Sequence, residues 1–235
     1  MMRGPIPARA FVWAMCTWLL AGSAMSAQAQ PRSEVRGFWV ETFNTTLNTP
    51  VDVAAVVDRA VAANANTIFA QVRRRGDSWY LNSLEPLADR TPIQPGFDPL
   101  EHLIVEAHAR GLEVHAFVIA NAIWNRAPSL FPPTDQNHVF NRHGGYDPVT
   151  NTITPGPDNW LTRTLIPDGT ASITLQGHRF GSEFYIDPGH PDAASHTVQV
   201  LTHLVLNYDI DGLHLDRIRY PEIGICGVCE IPGQG

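Results

Sequence analysis

The chain has 235 residues, with 23 acids against 16 bases, a formal net charge of −7 and 44% hydrophobic residues. That acidic balance excludes nucleic acid as a natural partner, because a polyanion needs clustered cations. The apolar content is sufficient for one buried core.

At the N-terminus Arg3 and Arg9 precede or open an apolar run over residues 10–21, followed by small residues and Ala27-Gln28-Ala29. This order reads as a secretory signal peptide over residues 1–29. The run is short of the roughly 20 apolar residues of a membrane span, so no stable membrane anchor is expected. The sequence predicts an exported protein, periplasmic or extracellular. Cleavage removes two arginines and no acids, taking the formal charge from −7 to −9. Cys16 leaves with the signal, and Cys226 and Cys229 remain as a C-x-x-C pair. The pair has the spacing of a disulfide or half a zinc site, but no further ligands follow. No metal or cofactor is therefore expected.

From residue 36 onward strands alternate with helices, the pattern of a parallel sheet flanked by helices. Residues 36–41 form the first strand. Thr49-Pro50 then supplies an N-cap and first-turn proline for a helix with Val53, Val56, Val57, Ala60 and Val61 at helical spacing. Residues 67–73 form the second strand. Asp98-Pro99 opens the next helix, Leu100, Leu103, Ile104 and Ala107 form its stripe, and Gly111 ends it. Residues 113–119 make the third strand. A last helix, with Ala194, Val198, Leu201, Leu204 and Val205 on one face, leads into a fourth strand beginning at Asp211.

Between strand three and the last helix, residues 120–188 are crowded with Pro, Gly, Asn, Thr and aromatic residues. Insertions of this length are commonly functional. Residues 161–165 and 171–175 flank Pro167-Asp168-Gly169 as a hairpin would. The segment is a candidate wall or lid for a substrate groove at the C-terminal end of the sheet.

The most informative stretch is Asp211-Gly-Leu-His-Leu-Asp-Arg-Ile-Arg-Tyr-Pro221. Alternation along a strand sends Leu213 and Leu215 to one face, with Ile218 beyond them, and His214 and Asp216 to the other. β/α enzymes place catalytic groups at the C-terminal ends of such strands, which makes Asp216 the first candidate. Gln71 and Arg73 share a face with Phe69 and are candidates to bind sugar hydroxyls or a carboxylate; Arg73 equally suits a buried ion pair with Asp216. His115 and His214 are candidates for substrate contact or for orienting Asp216, with a hydrogen-bonded core role as the alternative. Arg217 and Tyr220 complete the candidates near Asp216. Trp79, Tyr80 and Trp124 are the candidates for stacking on sugar rings, and Trp39, inside a strand, is expected in the core. Asp187-Pro188-Gly189 reads as a turn into the helix or as part of the groove.

Arg36-Gly37-Phe38-Trp39-Val40, the run over residues 66–72, Gly96-Phe97-Asp98-Pro99-Leu100, Glu106-Ala107-His108-Ala109-Arg110-Gly111 with Val114-His115-Ala116-Phe117, Tyr185-Ile186-Asp187-Pro188-Gly189 and the stretch from Asp211 resemble, in the same order, the glycosyl-hydrolase-like family ten. The resemblance covers residues 36–221. It implies an eightfold β/α barrel, export from bacteria and hydrolysis of glycan chains, with peptidoglycan strands as a substrate class, so a polysaccharide is the expected partner.

A full barrel has eight strand-helix units over about 250 residues, and only four are readable here. The expected fold is α/β, a partial TIM-type barrel over residues 30–221 with the long insertion after strand three. Residues 222–235 have no strand-helix pattern and suggest a truncated or frameshifted product. Open sheet edges and uncovered helix faces would make a half-barrel marginal or aggregation-prone alone, and invite dimerisation.

Glycosidases generally use two carboxyl groups about 5 to 9.5 Å apart. Asp216 supplies one, and the within-chain alternatives for the other are Glu41, Asp77, Glu183 and Asp187, none singled out by spacing. The expected function is a glycoside hydrolase of bacterial glycan strands, weakly active or inactive as written. A non-catalytic carbohydrate-binding or pseudoenzyme module is the alternative. A metal-dependent hydrolase finds no paired-histidine helix motif to support it.

Overall fold

The computed structural model describes residues 34–219, apart from 45, 89–91, 126–130, 148, 151, 155, 168–172, 178 and 181–182. The expected signal segment, the tail with Cys226 and Cys229, and Tyr220 lie outside the described residues. No described helix is long and apolar enough to cross a membrane.

In chain order the elements are β1 (Gly37–Val40), α1 (Pro50–Ala62), β2 (Thr67–Arg73), α2 (Pro99–His108), β3 (Glu113–Ile119), β4 (Ala122–Asn125) and α3 (Val139–His143). The inserted strands β5 (Tyr146–Asp147), β6 (Thr152–Ile153), β7 (Arg163–Pro167), β8 (Ile173–Gly177), β9 (Arg179–Phe180) and β10 (Glu183–Tyr185) follow, then α4 (Pro191–Asn207) and β11 (Gly212–Asp216). The main sheet has the order β1-β2-β3-β11, all parallel. This is an α/β fold corresponding to four strand-helix units of a β/α barrel, with the elements between β3 and α4 inserted into the third.

Local chemistry sets the helix starts. The Thr49 hydroxyl accepts from the Asp52 N–H at 3.2 Å, and the Asp98 carboxylate accepts from the Glu101 N–H at 3.2 Å, each ahead of a first-turn proline. Gly111, at φ +71°, takes the left-handed conformation that follows α2. Side chains 68, 70 and 72 of β2 and 114, 116 and 118 of β3 pack on Val53, Val57, Leu100, Leu103 and Leu204 to form the main core. Alternation then sends Trp39, Phe69, Gln71, His115, Phe117, His214 and Asp216 to the other, concave face.

The face of α4 differs from expectation. Ala193, Val200 and Leu204 are buried, while Val198 and Val205 are 62% and 49% exposed. The helix is apolar on more than one side, and the sheet selects the 200/204 side. The insertion has its own core of Ile123, Phe140, Trp160, Leu161, Phe184 and Ile186, to which Ala193 adds. Its strands form an antiparallel sheet β4-β10-β9 and a hairpin of β7 with β8. The hairpin pairs residues 163–167 with 173–177, two residues later on each side than the spacing suggested.

Candidate active site at the C-terminal end of the sheet

The concave face is built in layers set by the parallel register. Trp39, Phe69, His115 and Gly212 are level across the four strands; Gln71, Phe117 and His214 lie one layer higher. Trp39 stacks on Phe69 with ring centroids 4.6 Å apart, and Phe117 and His214 meet its indole edge-on at 5.3 and 4.9 Å. Two glycines make this layer possible. A Cβ on Gly37 would lie 2.5 Å from the Phe69 ring, and one on Gly212 2.6 Å from His115 Nδ1. Trp39 is 55% exposed, so it is not the core residue that its place inside a strand implied. The described helices α1, α2 and α4 pack on the opposite face.

Above this layer the strand ends carry a dense charge network. Gln71 Oε1 accepts from the backbone and hydroxyl of Thr42, joining β2 to the segment after β1. A register shift between Gln71 and Arg73 precedes the sheet's most buried cation. Arg73 does not pair with Asp216. Its Nε and Nη2 donate to Glu85 at 2.5 and 2.7 Å, and Nη1 donates to the carbonyls of Ile119 and Ala120, the latter at 2.9 Å. Burial pushes the Glu85 carboxyl up, but Arg73 and His196 outweigh it and hold the group well below the usual carboxylate range. The Arg73–Glu85 pair therefore ties the loop after β2 to the end of β3, and neither head is available to a sugar.

Arg74 donates to the Thr42 carbonyl at 3.0 Å and to Asp77 at 3.2 Å, with its guanidinium 4.7 Å from the Trp79 ring. Arg75 reaches Glu183 at 3.4 Å, and Arg217 donates to the other oxygen of Glu183 and, at 3.3 Å, to the Tyr185 hydroxyl. Burial first, and then the Arg74 guanidinium, with Arg217 adding to it against Asp77, brings Arg75 down to about 10. Three guanidiniums thus share Asp77 and Glu183.

Asp216 ends β11 on this face, accepting from the Arg217 N–H at 2.8 Å and lying 3.9 Å from Arg219. Arg217 adopts φ +48°, a left-handed conformation that costs a non-glycine residue roughly 1–2 kcal/mol. The turn it makes carries its guanidinium back to Glu183. Asp216, Arg217, Glu183, Tyr185 and Arg75 are thereby linked in one cluster.

Other sequence candidates are placed elsewhere. Trp79 and Tyr80 are fully buried in the main core and Trp124 is 2% exposed in the insertion's core, which removes all three as open stacking platforms. The backbone N–H of Trp79 returns to the Val72 carbonyl, so the loop folds back onto the helix side of the sheet, and Tyr80 packs edge-on against Tyr208. Trp124 lies edge-on to His138. Asp187 accepts from the Gly189 N–H at 2.8 Å and forms the turn ahead of α4. His115 is half-buried in the aromatic layer, and Tyr220 is not among the described residues. Among the alternatives for a second carboxyl, Glu41 binds Phe43 N–H and Asn44, Asp77 is buried with Arg74, and Glu183 is held by two arginines. Glu85, His196 and the exposed Phe43 escaped sequence reasoning, because a loop glutamate and a helix histidine 111 residues apart carry no common spacing. No group of three or more potential metal ligands is gathered among the described residues.

A parallel sheet with helices on one face, and charged groups at the C-terminal strand ends on the other, defines the chain as an α/β protein of partial β/α-barrel type. Residues 34–225 match the family Glycosyl hydrolase-like 10, and the chain belongs to it. It is 28% identical over 229 residues to the glycosyl hydrolase DigH of Escherichia coli K12, covering 86% of this chain and 46% of that protein. It is 27% identical over 170 residues to the glycosyl hydrolase YngK of Bacillus subtilis, covering 71% and 27%. The chain thus spans about half the length, or less, of these relatives. Among solved structures, a hypothetical protein of Ruminiclostridium thermocellum superposes with a TM-score of 0.44 at 12% identity over 79% of this chain and 77% of that one. An α-amylase of Geobacillus thermoleovorans gives 0.42 at 16% identity over 79% and 40%.

Proposed function

We propose that this chain acts on bacterial glycan strands, with peptidoglycan-type polysaccharide as the favoured substrate, and that Asp216 is a catalytic carboxylate at the C-terminal end of β11. Family membership implies a carbohydrate substrate. The carrying observation is the position of Asp216, at a strand end on the concave face above the Trp39–His214 contact and bonded to a strained Arg217. The exposed Trp39 ring offers an apolar floor for a sugar, and Asp216 acts either as nucleophile at the anomeric carbon or as the base that takes a proton from the water attacking it. A second carboxyl must protonate the leaving oxygen. Glu41, Asp77, Glu183 and Asp187 are all engaged in the contacts described above, so hydrolysis by this chain is absent or very weak. The N-terminal sequence supports an exported protein, and β1 and β11, each paired on one side only among the described residues, favour dimerisation.

That same engagement of carboxylates favours a second reading, a carbohydrate-binding module without turnover. The test is release of new reducing ends from isolated glycan strands, run beside a pull-down of the protein on the same strands. Turnover abolished by Asp216→Asn supports Asp216 as a catalytic carboxylate and refutes the absence of a working partner within this chain. Retention without release supports the binding module. Neither retention nor release refutes both readings.

A further inference from the structure

Three clefts adjoin one another where the insertion meets the loop after β2 and helix α4. The first, of about 270 Å³, lies between the loop carrying Glu85, helix α3 and the first turns of α4, with Arg142, His143, Trp160, Asp192 and His196 around it. It shares Arg142 and His143 with a second cleft of about 300 Å³. That cleft shares Gly145 and Thr154 with a third of about 430 Å³, walled by Phe131, Phe140 and Tyr146. Shared walls place them side by side in a row, the second between the first and the third. Its scaffold is built in: the imidazole of His143 stacks on the Trp160 indole at 3.5 Å, and Asn159 Nδ2 donates to the carbonyls of Gly144 and Thr154 at 3.2 and 2.9 Å.

The lining chemistry selects the occupant. Glu85 is compensated by Arg73; of the other charged side chains among the described lining residues, Arg142 is the cation of the first two clefts, and Asp192, Asp158 and Asp147 lie one in each cleft. One cation against three carboxylates disfavours a polyanion. Amide and hydroxyl groups such as Gln199 and Ser195 in the first cleft, and the aromatic side chains Phe131 and Tyr146 in the third, suit a ligand rich in hydroxyls with flat apolar ring faces. A linear row of compartments suits a linear chain. We infer that this groove is a second glycan-binding site, taking a run of neutral sugar residues from a polysaccharide strand. It begins at Glu85, whose partner Arg73 lies under the candidate active site. A strand held there raises the effective sugar concentration at Asp216 without adding a contact to it.

The test is calorimetric titration of the full chain with the neutral tetramer of β-1,4-linked N-acetylglucosamine, and with a polyuronate of similar length. The variants are Arg142→Ala with Gln199→Ala, both on exposed helix positions, and separately Trp39→Ala. We expect the double variant to weaken tetramer affinity about tenfold while retaining the parent far-ultraviolet circular dichroism, and Trp39→Ala to leave that binding in place. The polyuronate should bind at least tenfold more weakly than the tetramer. Unchanged affinity in the double variant, complete loss of binding in Trp39→Ala, or equal affinity for the polyuronate would each overturn the groove. Loss confined to Trp39→Ala would do so while leaving the concave-face reading intact. Conversely, groove binding that persists while release of reducing ends is unaffected by Asp216→Asn would sink the catalytic role of Asp216 alone.

Discussion

Replacing Glu85 with glutamine removes one charge from the most enclosed ion pair among the described residues. Both side chains are 1% exposed, and the Arg73 guanidinium spends Nε and Nη2 on the two carboxylate oxygens and Nη1 on two backbone carbonyls. An amide retains one acceptor and turns its NH2 toward a guanidinium N–H, so one charge-assisted bond is lost and a donor faces a donor. Leaving a buried charge uncompensated costs about 3–5 kcal/mol, a large part of the roughly 5–15 kcal/mol available to a domain. Urea denaturation followed by tryptophan fluorescence measures it, and Arg73→Met combined with Glu85→Gln should recover part of the loss, because the orphan cation is then gone. A loss under about 1 kcal/mol in Glu85→Gln would refute the assignment of this pair as the brace between the β2 loop and β3. The pair also sets an acid limit. Glu85 is depressed in the folded state, so its contribution is fully present above the unfolded carboxyl value of about 4.3 and is lost as pH falls below it. Stability measured from pH 6 to pH 3 should drop more steeply in the parent than in Glu85→Gln.

Asp98 caps α2 through one oxygen and with the other accepts from the Leu81 N–H at 3.0 Å and the Tyr208 hydroxyl at 2.7 Å. Asp98→Ala should therefore cost about 2–3 kcal/mol, more than a cap alone, and Asp98→Asn about 1 kcal/mol, read from the same denaturation curves. Burial pushes the Tyr80 hydroxyl up to about 12. A raised folded value means that its contribution is present below the unfolded value of about 10 and is lost as pH rises through about 12. Burial and the hydrogen bond to Asp98 raise Tyr208 further still, so alkaline titration of tyrosinate absorbance should show two late-ionising groups, of which Tyr80→Phe removes one, and ionisation of Tyr80 at pH 10 in the native protein would contradict the burial.

What the residues fixed by themselves was local. Thr49-Pro50 and Asp98-Pro99 start helices because a side-chain oxygen and a missing N–H act within one turn. The alternation in β2, β3 and β11 separates helix-facing valines and alanines from Gln71, His115, His214 and Asp216, because a strand repeats every two residues. Which of those faces is covered was decided by tertiary structure. Trp39 and Trp79 are both large and apolar, yet one is 55% exposed and the other fully buried, because helices close one side of the sheet and the loop after β2 folds back into that side. Arg73 could be paired only once the chain brought Glu85 beneath it, and α4 buried Val200 rather than Val198 because the sheet met that side of the helix. Periodicity travels along the chain and is legible there; ion-pair partners and covered faces are relations between distant segments, set by how those segments pack.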